Sequence, residues 1–451
     1  MKPRQPDEQK SDELFRSQLT QIINVQHELA KLARRIDWNH IDRQVAPFFA
    51  TEGRPAIRSR LMVGLHLLKS LYHLSDEAVC ERWVENPYYQ YFCGEDYFQH
   101  TFPIQRSSMT HWRKRVGEKL FETLLQESLR IAFEEKALNI THLKRVVVDT
   151  TVQPKAVAFP TDVGLMRKAL AALTAQASDN GIVLRQTYTR VVKRAAIKSG
   201  RYRHAKHLKR AKREEQFIRV RLGRVIRDIS RKIQGNDALQ AVFSEPLSKA
   251  LTIQKQQRHS KHKLYSWHAP ETECIGKGKA HKPYEFGCKV SVTTHVNAAP
   301  GGHFVLQIGA LHGNPFDGHT LAPVMESYKQ LTGVTPERIY VDKGYQGNTH
   351  EPKSRVFKSG QKRGVVGTIK KELRRRTVVE PVIGHMKSDH SLGRNFLQGT
   401  AGDKLNALMA GIGSNFRLLL RWLRLFCAQI MLALYQRTEK DRSDVFCVAA
   451  I

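Results

Sequence analysis

Cysteine is scarce in this chain: six residues among 451, at positions 80, 93, 274, 288, 427 and 447, with no Cys-x-x-Cys pair. That spacing supports neither a zinc module nor a disulfide framework, and it suits a reducing compartment. Acidic residues are also few, 42 against 74 Lys and Arg. Residues 1–24 are polar and charged and hold no apolar signal-peptide core. Long hydrophobic runs are missing too. The best candidate, residues 418–435, is interrupted by Arg421 and Arg424 and reads as a buried or amphipathic helix. Together these absences lead to the expectation of a soluble, cytoplasmic protein without a membrane partner.

What is present is an ordinary globular composition, 41% hydrophobic and 26% charged, carrying an unusual net charge of +32. The length suffices for two or three domains with a sizeable core. So large a basic excess favours a polyanionic partner, most simply nucleic acid, because each phosphate contact releases counterions. Apolar periodic segments run through most of the chain and argue against disorder.

Residues 1–140 read as an all-α N-terminal DNA-binding domain. Leu61, Leu65 and Leu68 recur at helical spacing beside Leu67 and Leu71, and Ser75-Asp-Glu has the form of a cap on the next helix. Ser107 and Ser108 precede a helix over 109–117 that carries Arg113, Lys114 and Arg115. Those three suit a DNA-binding helix, and a basic solvated face accounts for them as well. The character changes at Lys144-Arg-Val-Val-Val-Asp149, a β-branched run ending in a carboxylate. Strand signals resume over 284–296 and 304–311, followed by a helix over 317–331. Arg338-Ile-Tyr-Val-Asp342 is another strand ending in a carboxylate. The expected fold class is α/β, with a discontinuous catalytic core over 141–155 and 262–425, an insertion over 156–261 and a C-terminal tail over 426–451.

The insertion is basic: from residue 190 to residue 232 there are 17 Lys and Arg against 3 acids. Ile218, Leu222, Val225 and Ile229 fall at helical spacing, so one face can pack while the others stay charged. This predicts a helical insertion whose Lys206, Lys209, Arg210, Lys212 and Arg213 hold a phosphate backbone. A solvated hairpin without a ligand is the alternative.

A third acidic position lies further on. Arg376, Glu380 and Lys387 are separated by four and seven residues, which places them on one helix face. Val378, Val379, Val382 and Met386 gather on another side, suited to packing on a sheet. Pro381 opposes one long straight helix, so either the helix starts close to Glu380 or it kinks there. Carboxylates at Asp149, Asp342 and Glu380 converging on one edge would suit magnesium, a hard cation that takes oxygen ligands and keeps part of its water. Two such ions about 4 Å apart activate an attacking oxygen and stabilise the leaving oxygen of a phosphodiester.

On these segments the chain resembles the DDE transposases of bacterial insertion sequences, the group with an RNase H-like catalytic core. The resemblance covers most of residues 54–420. It starts in 54–94, including Asn86-Pro-Tyr-Tyr-Gln-Tyr-Phe-Cys-Gly94, and in 107–117. It continues in Val148-Asp149-Thr150-Thr151 and Asp342-Lys343-Gly344-Tyr345-Gln346-Gly347. The most specific segment is Arg376-Thr-Val-Val-Glu380-Pro-Val-Ile-Gly-His-Met-Lys387. The family signature runs Tyr, two residues, Arg, three residues, Glu, six residues, Lys. This chain has Arg376, Glu380 and Lys387 at those gaps and Leu373 at the Tyr position, so a phenolic contact to DNA is not carried over.

The resemblance implies that Asp149, Asp342 and Glu380 bind two Mg2+ ions, with Mn2+ as a substitute, and that Arg376 and Lys387 hold phosphates near the scissile bond. It implies double-stranded DNA partners, namely terminal inverted repeats and target DNA, and a homodimer acting on them near the nucleoid. The implied chemistry is strand cleavage followed by strand transfer. A magnesium-dependent nuclease on the same fold and a non-catalytic DNA-binding descendant are the rival readings.

Four weaker features complete the reading. Asn314-Pro-Phe-Asp317-Gly-His319 looks like another stretch of the family core, and a helix N-cap by Asp317 explains it equally well. Tyr265 and Trp267 suit stacking on an unpaired base or packing in a core. His281 and Lys282, beside the 276–278 loop, suit a phosphate contact or an ordinary polar loop. His385 next to Glu380 suggests proton transfer, which metal-activated oxygens would make unnecessary.

Overall fold

The computed structural model describes residues 17–50, 52, 56–257, 259–276, 283–347 and 354–448, with side chains up to residue 425. Arg54, His281 and Lys282 lie outside the described residues. The fold is mixed α/β, with helix predominating. The chain forms two compact units, one made of 1–153, 289–397 and 401–451, the other of 154–288 with 398–400.

In the first unit, the Ser59–Leu71 helix is buried almost all round, with Leu61, Met62, Val63, Leu65, Leu67 and Leu68 inside. A helix without a polar face belongs in a core. The next helix, Asp76–Glu85, begins where Ser75 Oγ accepts the Ala78 N–H at 3.0 Å, an N-cap bond. The Ser107–Glu134 helix outruns the expected 109–117 segment. Gly117 (φ 64°, ψ −161°) bends it, a conformation that a Cβ would strain, and Leu120, Phe121, Leu124, Leu125 and Leu129 extend the apolar face beyond the bend.

Six strands follow among the described residues: β1 (Arg145–Pro154), β2 (Glu273–Gly276), β3 (Tyr284–His295), β4 (Val305–Leu311), β5 (Arg338–Val341) and β6 (Arg355–Lys358). Their order is β2-β3-β1-β5-β6, with β4 on β3. β1 and β5 are parallel, pairing Arg145 with Arg338, Val146 with Ile339 and Val147 with Tyr340, and β6 continues parallel to β5. β4 and β2 each run antiparallel to β3. Val146, Val147, Val148, Ile339, Tyr340 and Val341 are all buried, the continuous apolar run of strands covered on both faces.

β1 does not end at Asp149, as its sequence suggested, but runs on to Pro154. Thr150, Thr151 and Val152 are good strand formers, and the ladder to β3 persists, with the Lys155 N–H donating to Phe286 O at 2.8 Å. The neighbour β5 stops at Val341, so the pairing with β5 ends near Asp149 while the strand itself continues.

The segment after β6 settles the question posed by Pro381. A helix over Gly367–Arg374 passes through a 3-10 turn, Arg375–Val378, into a new helix, Val379–Asp389. Pro381 is the third residue of that helix, where its missing N–H needs no intrahelical partner. Val379, Val382 and Met386 are buried. The final helix, Gly399–Val448, packs Leu405, Leu408, Ile412, Phe416, Leu419 and Leu423 into the first unit's core. Among the described residues no helix is long and apolar enough to cross a membrane.

The second unit has its own core. Four helices, Asp162–Asp179, Thr189–His204, Leu208–Lys232 and Asp237–Lys255, enclose Leu165, Met166, Leu170, Leu173 and Phe243. Ile218, Leu222, Val225 and Ile229 supply the third helix's buried stripe.

Candidate active site

The β1–β5 register carries Asp149 level with Asp342, two residues beyond the Val147–Tyr340 pair. Both carboxylates therefore reach the same edge of the sheet. Glu380 arrives from the first turn of the Val379–Asp389 helix. One guanidinium joins all three: Arg376 Nη1 lies 3.8 Å from Asp149 Oδ2, while its Nη2 lies 3.7 Å from Asp342 Oδ1 and 3.9 Å from Glu380 Oε1. The Asp149 side chain is 21% exposed, against 52% for Asp342 and 61% for Glu380. The cluster thus has one enclosed carboxylate and two that face solvent. Burial pushes the Asp149 pKa up to about 6, and the charges of Asp342 and Asp317 push the same way, against the Thr150 N–H and Arg376.

Asp317 is a fourth carboxylate at this edge, and of the two readings open for its segment, family core or helix N-cap, the N-cap is not the role it has. Phe316 occupies the cap position of the Asp317–Thr332 helix, and no side chain caps it. Asp317 Oδ1 instead accepts from the Thr150 hydroxyl at 3.0 Å and from Lys289 Nζ at 3.2 Å. The Tyr345 ring is buried beside these acids. Its phenol is raised well above the usual range by burial and further by Asp149 and Asp317. The Asn314–His319 segment carried the only sequence signal for Asp317, and capping was a sufficient local explanation of it.

Residues 17–115 match the family described as Transposase domain (DUF772). An uncharacterised protein, ORF8 in the nfe locus of Rhizobium meliloti, is 51% identical over 206 residues, which make up 46% of this chain and 99% of that relative. No solved structure matches the chain. The chain belongs to the transposases.

The matched domain of the transposase ends before the first of the three acids. Within it, Arg113 is not the DNA-facing residue that the basic run suggested. Its side chain is buried and forms a bidentate pair with Asp76, at 2.9 and 2.7 Å, with Lys69 on the same carboxylate. Helix periodicity turns this member of the run inward, next to a His66 whose pKa is pushed down to about 3 by burial and by Arg113 itself. Lys114 and Arg115 remain exposed, and the Arg115 guanidinium lies 5.3 Å over the Phe49 ring.

Lys387 sits two turns beyond Glu380 on the same helix face and is half-buried. Leu373, at the signature Tyr position, is half-buried against the main core. His385 is exposed, with its Nδ1 3.5 Å from Asp389 Oδ2 one turn along. In the second unit, Lys206, Lys209, Arg210, Lys212 and Arg213 are all exposed, grouped where the Thr189–His204 and Leu208–Lys232 helices turn into each other. Trp267 packs partly against that unit's core, and the Tyr265 ring lies 5.4 Å from Phe286, so both aromatics have packing partners.

Proposed function

We propose that this transposase cleaves DNA strands at the ends of a mobile element and transfers the new 3′ ends into target DNA, on an RNase H-like core. The observation that carries the reading is the alignment of Asp149 with Asp342 on adjacent parallel strands, with Glu380 drawn to both through Arg376. The sheet order β4-β3-β1-β5-β6, antiparallel on one side and parallel on the other, supports the RNase H-like assignment.

The donor set fits a hard divalent cation. It consists of carboxylate oxygens, two of its members are open to solvent, and Asp149 is raised by burial, with the neighbouring acids pushing the same way. Asp149, Asp342 and Glu380 would hold two Mg2+ ions, or Mn2+ in their place, which supply activation of an attacking oxygen and stabilisation of a leaving one. The chain's own cations do the rest. Arg376 neutralises the acids and stands where a scissile phosphate must be held, and Lys387 extends that hold along the helix. The basic turn of the second unit grips DNA backbone without reading sequence, while the exposed face of the N-terminal helices bears recognition. Pairing of two element ends calls for a homodimer on DNA, and the natural setting is the bacterial cytoplasm beside the nucleoid.

The test uses duplexes carrying the inverted repeats that flank the gene, with Mg2+ and a target plasmid. Asp149→Ala, Asp342→Ala and Glu380→Ala should each abolish nicking while duplex binding stays largely intact. Cleavage without joined products would favour a nuclease. Cleavage persisting in Glu380→Ala would remove Glu380 from the site.

A further inference from the structure

We propose that Asp317 is a positioning residue of the acidic site, fixing Asp149 and the turn after Asp342 relative to each other. This role rests on the metal-binding reading given above. The Thr150 N–H donates to Asp149 Oδ1 at 2.8 Å, while its hydroxyl donates to Asp317 Oδ1 at 3.0 Å. One threonine therefore ties two carboxylates from segments far apart in sequence. Lys289 Nζ clamps the other side, reaching Asp317 Oδ1 at 3.2 Å and Pro315 O at 2.7 Å.

The second carboxylate oxygen faces the other aspartate's segment. A Cβ added at Gly344, two residues after Asp342, would come within 3.1 Å of Asp317 Oδ2. A Cβ at Gly318 would lie 2.3 Å from Gln346 O, too close for any side chain. The start of the Asp317–Thr332 helix is thus seated directly on the turn that carries Asp342. With one oxygen shared by Thr150 and Lys289 and the other packed on Gly344, Asp317 orients ligands and is not itself a ligand. Groups of this kind, bonded to the ligands of a cation, govern how well the ligands are preorganised.

The test is a titration of the full-length protein with Mn2+, followed by calorimetry, beside thermal melting and duplex DNA binding. Asp317→Asn and Thr150→Val should each weaken Mn2+ binding by about tenfold, the lower range for a missing partner of a metal ligand. Thr150→Ser, which keeps the hydroxyl, should bind as the wild type does. Thr150→Val preserves shape, so it remains informative if Asp317→Asn fails to fold. Wild-type Mn2+ affinity in Thr150→Val would overturn the proposal, as would a lower melting temperature with unchanged affinity in Asp317→Asn, the outcome for an acid that merely complements its helix N-terminus. A wild-type protein that binds no Mn2+, or one in which Asp149→Ala binds it equally well, would instead overturn the metal reading and this role with it.

Discussion

Arg145 and Arg338, register partners that open β1 and β5, share one carboxylate. Glu372 Oε1 lies 3.0 Å from Arg145 Nη1, and its Oε2 accepts from Arg338 Nη1 at 2.9 Å and from the Tyr340 hydroxyl. Glu372 is buried and sits on the Gly367–Arg374 helix, which leads directly into the Arg376 turn. The starts of both aspartate-bearing strands and the lead-in to Arg376 and Glu380 are thereby fastened at one point. Glu372→Ala leaves two cations facing each other and should cost about 3 kcal/mol in denaturant unfolding, the scale for breaking a buried pair. Nicking should fall by more than the folded fraction does. Unchanged stability would mean that the helix is held by its apolar contacts alone.

Asp149 would give the proposed metal site a pH dependence with a definite sign. A carboxylate must lose its proton to bind a cation, and this one holds its proton up to about pH 6. Mn2+ affinity should be level above pH 7 and fall as the pH drops through 6, with protons released on binding near that value. In the metal-free protein the sign reverses. An ordinary Asp titrates near pH 3.9, so the folded state binds more protons between about pH 4 and 6, and this group's contribution to stability declines as the pH rises through that window. Binding and scanning calorimetry across pH 4 to 8 measure both effects, and a flat Mn2+ affinity would contradict the first.

The exposed basic turn is expected to act through phosphate alone. Replacing Lys206, Lys209, Arg210, Lys212 and Arg213 with glutamine should weaken element-end and unrelated duplexes alike. The slope of log affinity against log salt should flatten by about 0.9 for each phosphate of duplex DNA that the variant no longer neutralises. Filter-binding or anisotropy titrations at several salt concentrations give the slope, and an unaltered one would leave the turn as a solvated structural feature.

Arg113 and its neighbours should separate cleanly. Arg113→Ala leaves Asp76 short of its bidentate partner inside the N-terminal helices and should cost roughly 3 kcal/mol of stability. Lys114→Ala and Arg115→Ala should leave the melting temperature nearly unchanged and lower DNA affinity. Equal DNA-binding losses in all three without destabilisation of Arg113→Ala would place Arg113 back on the surface.

These residues also show where sequence is informative. β1 and β5 could be read because a strand buried on both faces needs an unbroken apolar run, and 146–148 and 339–341 supply one each. The buried stripe of the Leu208–Lys232 helix was equally plain, since Ile218, Leu222, Val225 and Ile229 repeat at helical spacing. The true end of β1 was hidden, because what stops near Asp149 is the pairing with a neighbour almost two hundred residues away. The inward turn of Arg113 is hidden for a related reason. One arginine in a basic run looks like the next, and its inward direction depends on Asp76, 37 residues earlier. Asp317 had a local explanation in capping, whereas its actual partners, Thr150 and Lys289, are separated from it by 167 and 28 residues.

The N-terminal helices share one continuous apolar cluster with β1, β3, β4, β5 and the Gly399–Val448 helix. Leu65 and Trp83 belong to the same interior as Val147 and Phe416. A module sealed in this way cannot be exchanged between relatives like a cassette, because lifting out the first 140 residues would strip one side of the sheet's support. On the proposed reading, divergence in which DNA ends are recognised would therefore proceed by changing outward-facing residues such as Lys114 and Arg115, one position at a time, on an interior that changes slowly.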